Sequence, residues 1–202
     1  MKKIVGVVAA SASALFLFAS AGAQAASCDP GKPGEDLSFE EAQKVYDCLK
    51  ADLYAGYQKG KKRWIPVEHV KNYRDWTPVS TMPANPGFHG GRFLFTYVNE
   101  VGASDYLKYA EENVKMPAGT LIAKESFAVT DKGKVKRGPL FFMEKVADGK
   151  SPKTNDWFYY AVAPNGAPMG VPVVKACHQC HSDNFGDRDG LGYPVEEARI
   201  SK

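Results

Sequence analysis

Histidine and cysteine are scarce in this chain of 202 residues, with only four of each. Charge of one sign is also missing: 26 Lys and Arg against 23 Asp and Glu leave a formal net charge of +3. Two of the basic residues, Lys2 and Lys3, lie in a segment that reads as a leader, so the excess shrinks further. A chain this near to neutrality, without a Lys/Arg block, has no electrostatic footprint for nucleic acid. After residue 26 no apolar run approaches the ~18 residues of a membrane-spanning helix, so the mature chain is not expected to be membrane-embedded. No Ser/His/Asp grouping or Gly-rich phosphate loop is visible, which removes the grounds for hydrolase or kinase chemistry. Internal repeats and low-complexity segments are missing too. The chain does have 44% hydrophobic and 12% aromatic residues, enough for a sizeable core in one domain or two small ones.

Residues 1–25 have the pattern of an export signal. Lys2 and Lys3 precede an apolar stretch from Ile4 to Phe18, and Ala23-Gln24-Ala25 supplies the small-x-small pattern cut by a signal peptidase. Cleavage near Ala25/Ala26 would place the mature protein in the periplasm. An uncleaved anchor is one alternative. A lipoprotein cut before Cys28 is another, but Ala25-Ala26-Ser27 lacks the usual large aliphatic residue.

Two of the cysteines fall in Cys177-His178-Gln179-Cys180-His181, the C-x-x-C-H pattern of c-type haem attachment. The spacing suits the chemistry: two thiols add to the two haem vinyl groups and the adjacent histidine reaches the iron. Chance would produce the pattern about 0.0015 times in a chain of this composition. The other readings are a redox C-x-x-C or half of a zinc site, but a zinc ribbon would need a second closely spaced pair. His181 is thus the expected proximal ligand of one covalent haem c, and His178 a passenger. If Cys177 and Cys180 hold haem, one intramolecular pairing is left, Cys28 with Cys48, and an oxidising compartment favours a disulfide there. Two unpaired thiols remain the alternative.

Along the chain, residues 26–37 read as coil. Ser38-Phe39-Glu40-Glu41 is a capping box, and Phe39, Ala42, Val45, Leu49, Leu53 and Tyr57 recur at helical steps up to about Gln58. Lys59-Gly60-Lys61-Lys62-Arg63 reads as a solvated linker, with docking to an acidic partner as the rival reading. Tyr73 to Gly91 is a Pro/Gly-rich loop. Strands are predicted over Arg92–Val98, Thr120–Val129, Gly138–Val146 and Trp157–Val162, a helix over Ala103–Val114, and a short helical stretch near Val174 presents the haem motif. The expected class is α+β: an antiparallel sheet of about four or five strands packed with helices, plus an N-terminal helical extension. The expected division is 26–72 for that extension and its linker, and 73–202 for the haem domain.

This order of elements resembles the cytochrome P-460 family, which includes the cytochromes c-prime-beta. The carriers are Tyr73-Arg74-Asp75-Trp76, the strand Arg92 to Asn99, Pro117 through Glu125, Phe142-Met143, Trp157-Phe158-Tyr159-Tyr160 and the late haem motif. Two features depart from the family pattern. The Cys28/Cys48 extension is additional, and the tail from Ser182 to Lys202, with Asp187, Asp189 and Gly190, lacks an aliphatic-aromatic run. The resemblance implies one pentacoordinate haem, often in a homodimer, and ligands such as nitric oxide, carbon monoxide or hydroxylamine. In the P-460 enzymes it further implies hydroxylamine oxidation and a lysine bonded to the porphyrin edge, for which the matching position is Lys124. An enzyme of this kind would pass electrons to a soluble redox partner protein; the alternatives are gas binding without catalysis, or a six-coordinate haem that only transfers electrons.

Alternation along Thr120–Val129 puts Thr120, Ile122, Lys124 and Ser126 on one face, and Leu121, Ala123, Phe127 and Val129 with Glu125 on the other. The second face is the more apolar, so a one-sided sheet would send Lys124 to solvent. The functional reading instead puts its amine against the haem. Among other iron ligands, Met143 is expected to pack in the core, Met116 and Met169 stand in loops, and Met82 has no stronger claim. His69 and His89 are solitary, His89 being either a distal-side residue or a plain loop histidine.

Overall fold

The computed structural model describes residues 27–200, so the export segment at 1–25 lies outside the described residues. Ser38 opens the first helix as its sequence suggests. Its Oγ accepts from the Glu41 amide at 3.3 Å while Glu41 Oε2 accepts from the Ser38 amide at 2.9 Å, closing the capping box. Helix α1 (Phe39–Gln58) then turns Ala42, Val45, Tyr46, Leu49, Leu53 and Tyr57 inward. Three shorter helices follow: α2 (Val67–Asn72), α3 (Glu100–Tyr106) and α4 (Gln179–Phe185).

Six strands form one antiparallel sheet: β1 (Thr77–Pro78), β2 (Phe93–Val98), β3 (Leu121–Val129), β4 (Val135–Arg137), β5 (Leu140–Lys145) and β6 (Trp157–Val162). Their order is β1-β2-β3-β5-β6, with β4 also paired to β3. The fold is α+β, and the short β1 and β4 account for the strands beyond those expected. The return from the hairpin is split because Arg137 pairs with Phe127 whereas Phe141 pairs with Lys124. Gly138, Pro139 and Leu140 therefore face only Glu125 and Ser126, which is a bulge. Pro139 has no N–H for the ladder. The Gly138 amide still donates to the Ser126 carbonyl at 2.9 Å, and Ser126 Oγ donates to the Pro139 carbonyl at 2.5 Å.

Both faces of the sheet are covered. On the first, Phe93, Tyr97, Ala123, Phe127, Phe142 and Tyr160 pack with the inward side of α1 in one hydrophobic cluster. The extension up to residue 58 thus shares a core with the sheet, and Tyr46 stacks on Phe95 with centroids 5.1 Å apart. On the second face, Val98, Ile122, Met143, Trp157 and Tyr159 pack with Val79, Tyr106, Met116, Leu191 and Tyr193. Leu191 and Tyr193 belong to the tail, which returns to the sheet and pairs Arg199 with Ser80.

Three expectations need correction. The helix predicted over Ala103–Val114 begins earlier, because Asn99 Oδ1 caps it by accepting from the Gly102 amide, and it stops at Tyr106. Beyond it Tyr109 and Asn113 take positive φ, which a helix cannot hold. Lys62 of the basic run is not solvated: it is buried, its Nζ donates to the Lys59 and Gly166 carbonyls, and burial lowers its pKa. Helix α2 was not foreseen, since its six residues are too few for a periodic signal.

Glu125 lies on the first face, 1% exposed, and is the acceptor at the centre of a network. Tyr46 Oη donates to it at 2.5 Å, Tyr73 Oη also donates, and Arg74 reaches it through Nε at 2.7 Å. Burial, together with the Glu125 charge, drives the Tyr46 and Tyr73 hydroxyl pKa values far up, so both remain donors. The Cys28 and Cys48 sulfurs are bonded across Cα atoms 5.7 Å apart, tying the start of the described chain to α1.

Two stability predictions follow from these contacts. Glu125→Ala leaves two buried hydroxyls and the half-buried Arg74 without their shared acceptor and should cost about 3 kcal/mol in urea unfolding. Cys28→Ser/Cys48→Ser should lower stability by roughly 3 kcal/mol in the chain-entropy model, and a non-reduced digest of the wild type should show the two peptides linked.

Candidate functional site

The second face carries a cavity of about 430 Å³. Its floor is a set of direct cross-strand partners: Ile122 opposite Met143 opposite Tyr159, and Lys124 opposite Phe141 opposite Ala161. Residues directly opposite in an antiparallel pair share a face, so a single register places all six together. Cys177, Cys180 and His181 form the facing wall, with Ala176, Met169 and Val171 beside them. A smaller chamber of about 190 Å³ adjoins it, sharing His89, Lys124 and His181 and bordered by Phe185, Arg188 and Arg199.

The wall is built by a short local rearrangement. Val174–His178 forms a π-helical turn that runs directly into α4, with the Gln179 amide donating to the Val174 carbonyl. Such widened turns alter which side chains share a helix face, and they recur at functional sites. Cys177 is half-buried and Cys180 exposed, both as free thiols. Burial, with Cys180 nearby, pushes the Cys177 thiol pKa up.

His181 is 7% exposed, and its Nδ1 lies 2.6 Å from the Gly190 carbonyl. A carbonyl only accepts, so Nδ1 carries the proton and Nε2 keeps its lone pair. Burial, reinforced by the Lys124 charge, lowers the imidazole pKa to about 4, so it is neutral near pH 7. A neutral imidazole with its second nitrogen fixed by a carbonyl is the form a metal ligand needs. The Gly190 carbonyl is held in turn by its neighbour. Asp189 accepts from the Met116 amide at 2.9 Å and from Lys145 Nζ at 2.8 Å, and its carbonyl accepts from Trp157 Nε1 at 2.8 Å.

Lys124 is 6% exposed and stands on the cavity face, with Nζ donating to the Gly192 carbonyl at 2.8 Å. The expectation of solvent on that side fails because the tail and α4 cover it. Burial, with Arg188 nearby, lowers the amine pKa to about 8. Two enclosed polar atoms of cavity-lining residues, Tyr159 Oη and His89 Nδ1, have no partner among the described residues. Burial, aided by the Lys124 charge, holds the His89 pKa down at about 3.

The other sulfur and imidazole candidates divide. Met143 and Met169 line the cavity, Met143 also packing in the core, while Met116 is buried in the second cluster away from the cavity lining. His69 lies beneath the opposite face, where its Nδ1 meets Tyr160 Oη at 2.7 Å. Asp189, Gly190 and Gly192 were not foreseen as site residues. Their roles use backbone carbonyls and a loop clamp, and Asp-Gly-Leu-Gly by itself signals only a turn.

Two thiols, a neutral imidazole with a free Nε2 and a mostly apolar cavity with unpartnered polar atoms suit a haem, and they define the class as a haem-site protein on an α+β sheet. A family model described as Cytochrome P460 matches residues 70–191. That is more than half of the chain, and the chain belongs to the cytochrome P460 family, whose members bind haem. No curated protein matches the chain. Among the described residues no helix is long and apolar enough to cross a membrane.

The Lys124 shift carries a pH dependence. Between about 8 and 10.5 the unfolded chain binds a proton that the folded chain does not. Stability must therefore rise as pH climbs through that window. In protein whose Lys124 amine is unmodified, Lys124→Met should flatten the rise, as measured by urea midpoints.

Proposed function

We propose that the protein is an exported, periplasmic cytochrome carrying one covalent haem c on Cys177 and Cys180, with His181 as the axial ligand. Its function in this reading is the oxidation of a small nitrogen compound, hydroxylamine, with electrons passed to a soluble redox partner. The observation that carries the reading is the meeting of Lys124 with Cys177, Cys180 and His181 around one cavity, from segments more than fifty residues apart. Bound haem would supply an iron that accepts electrons and takes small ligands. The protein residues do the rest. The Gly190 carbonyl orients His181 and keeps its Nε2 free. Phe141, Met143, Ala161 and Val171 give the cavity an apolar lining. Tyr159 Oη offers a buried hydroxyl without a partner among the described residues, and burial keeps it protonated. Exposed Cys180 marks the rim that a partner protein could approach.

Lys124 is the residue assigned to the porphyrin bond: its amine would replace a hydrogen at the porphyrin edge, and the two protons and two electrons released would pass to a two-electron oxidant of the peroxide class. An amine must be deprotonated to act as a nucleophile, and burial already brings its pKa to about 8. A second reading, binding or sequestering of nitric oxide without catalysis, is favoured by the contact that holds the amine on the Gly192 carbonyl. Homodimer formation belongs to both readings.

Mass mapping of a tryptic digest separates them. The expected result is one species joining the Lys124 peptide to the Cys177–Cys180 haem peptide. An ordinary Lys124 peptide, with a spectrum unchanged in Lys124→Ala, would turn the assignment to gas binding. Haem extracted from the wild type by acidic acetone would overturn covalent attachment itself.

A further inference from the structure

Two imidazoles border the large cavity, and the reading above uses only His181. We propose that His89 is a second, exchangeable ligand for the haem iron, paired with His181; this rests on the haem reading just given. The ring centroids of His89 and His181 are 6.1 Å apart, with planes inclined at 51°. Two imidazoles binding one metal ion from opposite sides have centroids about 6 Å apart, since a metal–nitrogen bond of about 2.0 Å and a ring radius of about 1.1 Å contribute on each side. The spacing thus matches that of a shared ion. His89 Nδ1 is enclosed and has no partner among the described residues, so no hydrogen bond through that nitrogen ties the imidazole in place.

The loop that carries His89 is suited to exchange. Its base is held: Asn85 Nδ2 donates to the Gly91 carbonyl at 3.0 Å, and the Gly87 amide donates to Asn85 Oδ1 at 2.9 Å. Beside the imidazole there is open space, since a Cβ added at Gly87 or Gly90 would meet nothing within 4 Å, while Phe88 packs edge-on against Phe185 with centroids 5.3 Å apart. His89 itself has φ 55°, an unusual value for an L residue, between glycines that also take positive φ. The Phe141 ring, at 4.7 Å and 71°, supports the imidazole from one side. Open space beside these glycines, in a loop pinned at Asn85 and Phe88, lets the imidazole leave when another ligand arrives and return when it departs.

The test is the spin state of the ferric haem protein, read by optical and low-temperature electron paramagnetic resonance spectra. Wild type should show a low-spin, six-coordinate component. His89→Gly, which suits the left-handed backbone, should convert that component to high spin, and added imidazole should restore it. His89→Asn, also tolerant of that φ, should behave as the glycine variant does, which separates ligand loss from damage to the fold. Cyanide should bind the variants about tenfold faster if the His89-free form is about a tenth of the wild-type population. A wild-type spectrum that is wholly high-spin, or a low-spin spectrum that persists in both variants, would overturn the proposal. Haem extraction by acidic acetone would fail the attachment reading separately, while the spin-state comparison would still decide the role of His89.

Discussion

Lys124 and Glu125 are neighbours on the central strand, and the pleat sends them to opposite sides of a sheet that is covered on both faces. Each charged group must then find partners within the protein, because a buried charge without them is costly. Glu125 finds Tyr46, Tyr73 and Arg74 beneath α1. Among the described residues Lys124 finds only a backbone carbonyl, that of Gly192, and its pKa falls. The same pleat makes the first face structural and the second chemical. One side is filled by aromatics and a closed hydrogen-bond network; the other retains a cavity with polar atoms to spare.

The tail completes the chemical side. The haem motif brings two thiols and a histidine, but the imidazole tautomer depends on the Gly190 carbonyl nine residues later. That carbonyl is positioned through Asp189, which joins β5 through Lys145, β6 through Trp157, and the loop before β3 through Met116. Gly192 then holds the Lys124 amine. A segment of five residues thereby links His181, the Lys124 amine and the sheet. Leu191 and Tyr193, alternating with these glycines, anchor it in the second core. The apolar anchor that the tail lacked as a run in sequence is present as these two alternate residues.

Local signals were legible where the physics is local. The capping box at Ser38 and the apolar stripe of α1 placed a helix that has the expected ends. Phe93, Phe95 and Tyr97 showed their shared face through alternation alone, and the β3 register could be divided into its two faces before any fold was known. Signals failed where long-range packing decides. α3 is set by the Asn99 cap and by positive φ values after Tyr106, and Lys62 is buried where the Gly166 carbonyl, from far along the chain, meets its amine.

For the site, the sequence by itself determined which residues carry the haem-attachment pattern: C-x-x-C-H is recognised from spacing alone, because it sets two thiols and an imidazole close enough to serve one porphyrin. The resemblance to the cytochrome P-460 family was likewise carried by the order of short motifs. What only the tertiary structure decided is which groups meet around the cavity. Alternation says that Lys124 and Glu125 part company, but not that both sides are buried. Nothing in the chain near His89 announces His181, and nothing near His181 announces Gly190 as its acceptor. Those relations arise from sheet register and from the return of the tail, contacts between residues distant in sequence that no local pattern encodes.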